Sequence, residues 1–364
     1  MKKNIDIASM SQWELIRIRF RKHRLASLAL FGIAGLYAMA ILADSLAVNP
    51  PQEKDLRYAY APPMFPRYSF QHGLYVDTYQ QKTDPVTRKK DYTLVPDEVT
   101  RLDLFGRGYG YRLFGIFPTA RHLLAVEKNG ADRSGKFLLF GGDKYGRDVF
   151  SRILKGARVS LSIGVFAIIV SFVLGVIVGG ISGYVGGALD VFIQRMIEIL
   201  NAFPKLPLWL ALGAALPRTW SSLQVYFGIT VILSLMGWTR MARVVRGKLL
   251  SLREEDYAMA ARLLGASHER IIFRHLVPGL TSHIIVSLTM TIPGMILGET
   301  SLSFLGLGLK SPTISWGVML QDCMSMQVVK NYPWILLPVV LIILTVLCFN
   351  FVGDGMRDAA DPYH

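Results

Sequence analysis

Long apolar stretches without charge alternate along this chain with short, densely charged ones, and this alternation restricts the fold more than any other feature. The run Val159–Ile181 contains no charged residue. About 20 apolar residues in a helix cross a hydrocarbon core ~30 Å thick. Comparable stretches lie at 25–48, about 191–216, about 223–241, about 280–305 and about 334–352. The third is the least regular: its first two turns are amphipathic, with Gln194, Arg195 and Glu198, and Pro204 and Pro207 interrupt it. Only 18% of the residues are charged and 52% are hydrophobic, whereas a soluble domain carries about 25% charged residues. The expectation is an all-α membrane protein with six transmembrane helices embedded in a lipid bilayer.

The net charge of +14 fits the excess of Lys and Arg on the cytoplasmic side of membrane proteins. Segment 1–24 holds seven Lys/Arg against two acids, and segment 240–275 holds eight against four. Both are assigned to the cytoplasm. Six spans then return the C-terminal segment 354–364 to the same side, so charge and count agree. No basic face with interleaved aromatics stands on a soluble unit, so nucleic acid is not expected as a partner. The first apolar stretch is too long for a signal-peptide core and reads as a retained anchor. Cys323 and Cys348 fall in different settings and give neither a disulfide framework nor a metal spacing. Neither cofactor nor metal is expected.

Residues 49–157 break the pattern. Pro50-Pro51 and Pro62-Pro63 interrupt any helix, and aromatic residues such as Tyr58, Phe65, Tyr68 and Phe70 are frequent. A small extracytoplasmic folded unit inserted between helices 1 and 2 is expected, followed by a five-helix core at 158–353. The apolar positions Val149, Phe150, Ile153, Leu154 and Ala157 recur at helical spacing beside Arg147, Asp148 and Arg152, which suits a helix lying in the outer interface. Gly175, Gly179 and Gly183 are spaced four apart, a pattern that lets another helix approach closely. Asp44 ends the first stretch. Glu299, inside the fifth, is a candidate functional carboxylate, set against the plainer reading of a group that holds the bundle together.

The cytoplasmic loop 246–278 is the most informative segment. Ala258, Ala260 and Ala261 precede Gly265, so a short helix can pack tightly and then turn. A second amphipathic helix follows, and Pro278 opens the next span. An ordinary charged connector would explain the charges equally well.

Here a resemblance adds to the reading. Met259-Ala260-Ala261, Gly265 and Val277-Pro278 resemble the E-A-A, three residues, Gly, nine residues, I-x-L-P pattern of ABC importer permeases, with Met259 in place of Glu, His275 in place of Ile and Val277 in place of Leu. Segment 140–152 (FGGDKYGRDVFSR) resembles the L-G-T-D-x-x-G-R-D-V-x-S-R signature of oligopeptide/dipeptide permeases, with Gly142 in place of Thr. Leu250–Glu254, Ile271–His275 and Leu302–Gly308 also resemble that family, which covers 140–364 almost continuously. The resemblance implies a type I ABC importer permease fold in a bacterial or archaeal inner membrane. It also implies four kinds of partner: a second homologous permease, two ATP-binding ATPase subunits, an extracytoplasmic solute-binding protein, and a small peptide as solute. Nickel, sugars and peptide antibiotics remain alternatives. The coupling loop would comprise Ala258, Met259, Ala260, Ala261, Gly265, Ala266, Ile271 and Pro278. The chain is expected to be no enzyme: Gly130-Ala131-Asp132-Arg133-Ser134-Gly135-Lys136 nearly spells a P-loop, but Phe137 follows where Ser or Thr must bind Mg²⁺. An ion-coupled secondary transporter would bury more ionisable residues in its spans. A membrane enzyme would show a nucleophile–base set or metal ligands.

Overall fold

A computed structural model describes residues 12–86, 89–126 and 135–360. The N-terminal segment forms α1 (Gln12–Lys22), α2 (Arg24–Ile41) and α3 (Ala43–Leu46). Six strands follow: β1 (Arg67–Ser69), β2 (Gly73–Thr83), β3 (Lys90–Leu104), β4 (Arg107–Leu113), β5 (Phe117–Arg121) and β6 (Leu124–Val126). Helices then dominate: α4 (Val149–Val185), α5 (Gly187–Ala202), α6 (Lys205–Ala214), α7 (Ser222–Leu252), α8 (Asp256–Leu263), α9 (His268–Arg270), α10 (Thr281–Phe304), α11 (Trp316–Met319), α12 (Met326–Asn331) and α13 (Leu337–Ala360).

Among the described residues, five helical segments are long and apolar enough to cross a membrane: α2, α4, α7, His283–Phe304 and Pro333–Ala360. The expected third span is divided. Phe203 is extended (φ −80°, ψ 134°) before Pro204, because a proline ring clashes with a helical residue in front of it. The result is two helices of 16 and 10 residues, each shorter than the ~20 residues a crossing needs. The expected interface helix before the second span is instead continuous with it. α4 has 37 residues, about 55 Å at 1.5 Å per residue.

Contacts gather the chain into two compact units. One comprises Met1–Ala34, Ser162–Leu302 and Ile343–His364 and contains α5 to α9 whole. Its interior includes Val176, Met241, Val245, Leu249, Ile271, Leu276 and Ile284. There the glycine spacing meets its counterpart. A Cβ built on Gly175 would lie 2.5 Å from Met241 Cβ, one on Gly179 2.5 Å from the Ala242 carbonyl oxygen, and one on Gly183 2.9 Å from the Arg246 carbonyl oxygen. Three turns of α4 therefore rest directly on the α7 backbone, an approach that any side chain would block.

The other unit comprises Gly35–Leu161 and Ser303–Ile342. Its segment 49–157, expected as a small folded unit of unassigned structure, holds all the strands among the described residues. β1, β2, β3 and β6 form an antiparallel sheet in the order β1-β2-β3-β6, and β4 pairs with β5 as a separate ribbon. Val76 and Leu102 turn inward to pack with Tyr58, Met64, Phe137 and Leu138. Fully burying such a side chain contributes about 1.5–3 kcal/mol.

The signature before α4 is a knot of buried polar groups. Asp143 accepts hydrogen bonds from the backbone N–H groups of Tyr145 (2.9 Å) and Arg147 (3.0 Å) and from the Arg147 guanidinium (2.6 Å), with Arg152 at 3.4 Å. Asp148 accepts from Asn49 (3.1 Å), Ser151 and the Phe150 N–H. Burial raises its pKa, partly countered by those donors. A Cβ on Gly142 would meet the Tyr58 carbonyl oxygen at 2.4 Å. Asp148, through Asn49, and Arg152, which donates to Pro51 O (3.2 Å), thus fix segment 49–51 to the start of α4, while Arg147 holds the turn at Asp143. On α4 itself, Ile153 accepts from the Trp316 indole (3.2 Å) and Ser160 from the Trp316 N–H (3.1 Å). The apolar positions expected to face lipid are covered by protein.

Candidate functional site

The loop between α7 and α10 presents two faces. α8 begins after Glu255, which is extended at the N-cap. Its small residues face inward: Ala258 and Ala261 are buried with Val245, Leu249, Ile271 and Leu276, and Ala266 packs partly against the same cluster. Ala258, Ala261 and Ile271 of the expected coupling loop are thus part of the chain's own core. Ala260 is exposed. The exposed surface carries Tyr257, Met259, Leu263 and Leu264, the two leucines at 88% each. Met259 stands on this outer face at the position where the family pattern has a carboxylate.

α8 stops because Gly265 takes φ +76°, a left-handed conformation open to glycine at little steric cost. The Gly265 N–H donates to Arg262 O (3.0 Å) and the Ala266 N–H to Ala261 O (3.1 Å), which satisfies the helix end. Ser267 caps α9 by accepting from the Arg270 N–H (3.3 Å). Residues 271–276 continue as a π-helical turn and Val277–Leu280, which includes Pro278, as a 3-10 turn into α10.

The flanks of α8 are tied to the α4–α5 turn within the same unit. Arg253, just before α8, donates to Gly183 O (3.3 Å). His268, just after it, meets the Tyr184 hydroxyl at 3.2 Å, with the rings edge-on at 5.2 Å. Asp190 on α5 accepts both arms of the Arg246 guanidinium and a hydrogen bond from Ser182. None of these pairs was legible as a motif, since Asp190 and Arg246 stand 56 residues apart.

The other candidates lie elsewhere. Glu299 is fully buried in α10. Asp44 binds Lys155 and, at 2.8 Å, Arg158. Burial opposes its ionisation, but these two cations outweigh burial and keep its pKa low. Of the near P-loop, residues 130–134 lie outside the described residues. Lys136 is buried and donates to Gly146 O (3.3 Å), and Phe137 is fully buried.

The family model described as "Binding-protein-dependent transport system inner membrane component" matches residues 160–363, and that described as "N-terminal TM domain of oligopeptide transport permease C" matches residues 11–63. The chain is 42% identical over 224 residues to the oligopeptide transport system permease protein OppC of Bacillus subtilis, which covers 61% of this chain and 71% of that one. It is 41% identical over 224 residues to the dipeptide transport system permease protein DppC of the same organism, covering 61% and 68%. It is 40% identical over 222 residues to the glutathione transport system permease protein GsiD of Pectobacterium atrosepticum, covering 61% and 71%. Among solved structures, an inward-facing MetNI methionine ABC transporter aligns with a TM-score of 0.45 at 18% identity, over 57% of this chain and 96% of that one.

Proposed function

Because this chain belongs to the family of binding-protein-dependent transport system inner membrane components, we propose that it forms half of the translocation pathway of an ATP-driven peptide importer and receives the ATP-driven motion through α8. The chain is a transport component of the membrane. Its partners in this reading are a second permease, two ATPase subunits and an extracytoplasmic solute-binding protein, and ATP hydrolysis belongs to the ATPase subunits alone. The basic segments at 12–24 and 240–275 face the cytoplasm, and residues 49–157 face outside. This chain contributes six crossings, the third built from α5 and α6 in series.

One observation carries the assignment of α8: Leu263 and Leu264 are each 88% exposed at the tip of a charged cytoplasmic loop. Burying a leucine contributes about 1.5–3 kcal/mol, so this pair is suited to an apolar groove on an ATPase subunit. The buried Ala258–Ala261 face makes α8 move as one piece with α7 and α10. Arg253, His268 and the Asp190–Arg246 pair carry the same displacement into the α4–α5 turn. Gly175, Gly179 and Gly183 hold α4 against α7, so the two helices move together. Glu299 is assigned to bundle integrity. Small peptides are the solute, in keeping with the oligopeptide, dipeptide and glutathione permeases to which the chain is similar.

A photo-crosslinking residue at Leu264 in the assembled transporter tests the coupling surface. It is expected to label an ATPase subunit, whereas the same residue at Phe70 is not. Labelling of neither the ATPase nor any complex component from position 264 would overturn the assignment.

A further inference from the structure

The β4–β5 ribbon, residues 107–121, has an unusual tip. Leu113 pairs with Phe117, and Phe114, Gly115 and Ile116 close the turn. Such a tip ordinarily carries Gly, Asn, Asp or Ser. Here Phe114 itself takes φ 53° next to Gly115 at φ 76°. A bulky residue held in the left-handed region is an outlier that points to a functional demand. Phe114, Ile116 and Phe117 are 59%, 71% and 62% exposed, and a cluster of this kind marks an interaction surface.

Two further observations name the occupant. The ribbon carries Arg107, Arg112 and Arg121, all exposed, and no acidic residue. Among the described residues none of the three has an ion-pair partner. The ribbon also leans on the place where the apolar part of the chain ends. Tyr109 packs with Ala43, Ala47 and Leu154. Tyr111 lies beside Ser45 and Asp44; burial first, and the Asp44 charge second, raise its pKa. The Leu123 N–H donates to Ser45 O (2.9 Å). Ser45 follows the membrane-length helix α2 by a few residues. The Asp44–Lys155–Arg158 cluster marks the same level on α4, since no charged residue follows Arg158 until Asp190. Charges gather where hydrocarbon gives way to water. Leu104 and Phe105, at the ribbon's other end, are also exposed.

We infer that the β4–β5 ribbon is a membrane-interface anchor: Phe114, Ile116 and Phe117 enter the boundary between acyl chains and headgroups of the bilayer, and Arg107, Arg112 and Arg121 bind lipid phosphates. Aromatic side chains favour that boundary, and arginine presents a fork of donors matched to phosphate. Anchored in this way, the ribbon holds segment 49–157 low against the bilayer beside α2.

A nitroxide label tests this. Ile116→Cys, and separately Phe70→Cys on the fully exposed turn after β1, are placed in full-length chain carrying Cys323→Ser and Cys348→Ala, in phospholipid nanodiscs. Membrane-soluble oxygen and a water-soluble nickel complex then compete to relax each label. The label at 116 is expected to collide with oxygen severalfold more, and with nickel severalfold less, than the label at 70. Arg112→Glu with Arg121→Glu is expected to return label 116 to water. Nickel accessibility at 116 equal to that at 70, in protein that elutes as a single species with full helical content, overturns the inference. So does protection at 116 that appears only when a solute-binding protein is added, which makes the occupant a protein, or label–label broadening, which makes it a second copy of this chain.

Discussion

Leu263→Lys is the substitution that most cleanly separates the two faces of α8. The side chain is 88% exposed, and lysine has nearly the helix propensity of leucine. Position 263 is the last residue of α8, where a cation suits the negative end of the helix dipole. The isolated permease should therefore change in stability by no more than about 0.5 kcal/mol. The docked complex is a different matter. It loses the burial of a leucine, about 1.5–3 kcal/mol, and must desolvate an ammonium group. A loss of about 2–4 kcal/mol is in the range of an interface hot spot and weakens ATPase association roughly 30- to 1,000-fold. Ala261→Leu does the reverse. Ala261 is buried against the α7 core, so the added atoms overpack it at about 1–3 kcal/mol and lower the melting temperature of the permease itself. The assay is a titration of ATPase subunits onto permease in nanodiscs, alongside a thermal melt of permease alone. Wild-type ATPase affinity for Leu263→Lys, at unchanged melting temperature, would refute the assignment of the outer face.

Other substitutions probe the supports of that face. Gly179→Val must push its side chain into the Ala242 backbone, since even a Cβ would stand 2.5 Å from the carbonyl oxygen; a loss of about 1–3 kcal/mol should appear as earlier melting and separation of α4 from α7 by spin-label distances. Gly265→Val has open space around it but must hold φ +76°; the strain of about 1–3 kcal/mol should uncouple ATP hydrolysis from uptake while leaving the α4–α7 core intact by hydrogen exchange. Asp190→Asn removes a charge-assisted pair worth about 2 kcal/mol. In a thermal melt of the permease, Asp190→Asn should therefore unfold earlier than wild type. In intact cells, a thiol at Phe70 should react with an impermeant reagent and one at Ser267 should not; the reverse pattern would invert the topology.

The parts of this molecule that show in its sequence are those where one residue type alone satisfies a local constraint. Gly175, Gly179 and Gly183 are visible because close helix approach forbids a Cβ, and Gly265 because its turn requires positive φ. Faces are harder to read. In α8 Ala258 and Ala261 stand three apart, and so do Ala260 and Leu263, so periodicity cannot tell which set meets the core; that depends on Val245, Leu249 and Ile271 arriving from elsewhere. Arg147, Asp148 and Arg152 look like an amphipathic surface segment until Asn49 and Asp143 are seen around them. The strands of 67–126 escape notice because β2 and β3 are broken by a bulge between Asp77 and Tyr79, which interrupts the alternation that would reveal them. The third apolar stretch reads as one span by composition, yet Pro204 splits it.

Uptake into proteoliposomes bears most directly on the central claim that α8 delivers ATP-driven motion to a peptide pathway. The chain is reconstituted with its second permease and ATPase subunits, and a labelled oligopeptide is presented with the solute-binding protein. Uptake should require ATP and all subunits, and Leu263→Lys should abolish it while peptide still binds its delivery protein. Uptake by this chain alone under an imposed proton or sodium gradient, without ATP, would contradict the account.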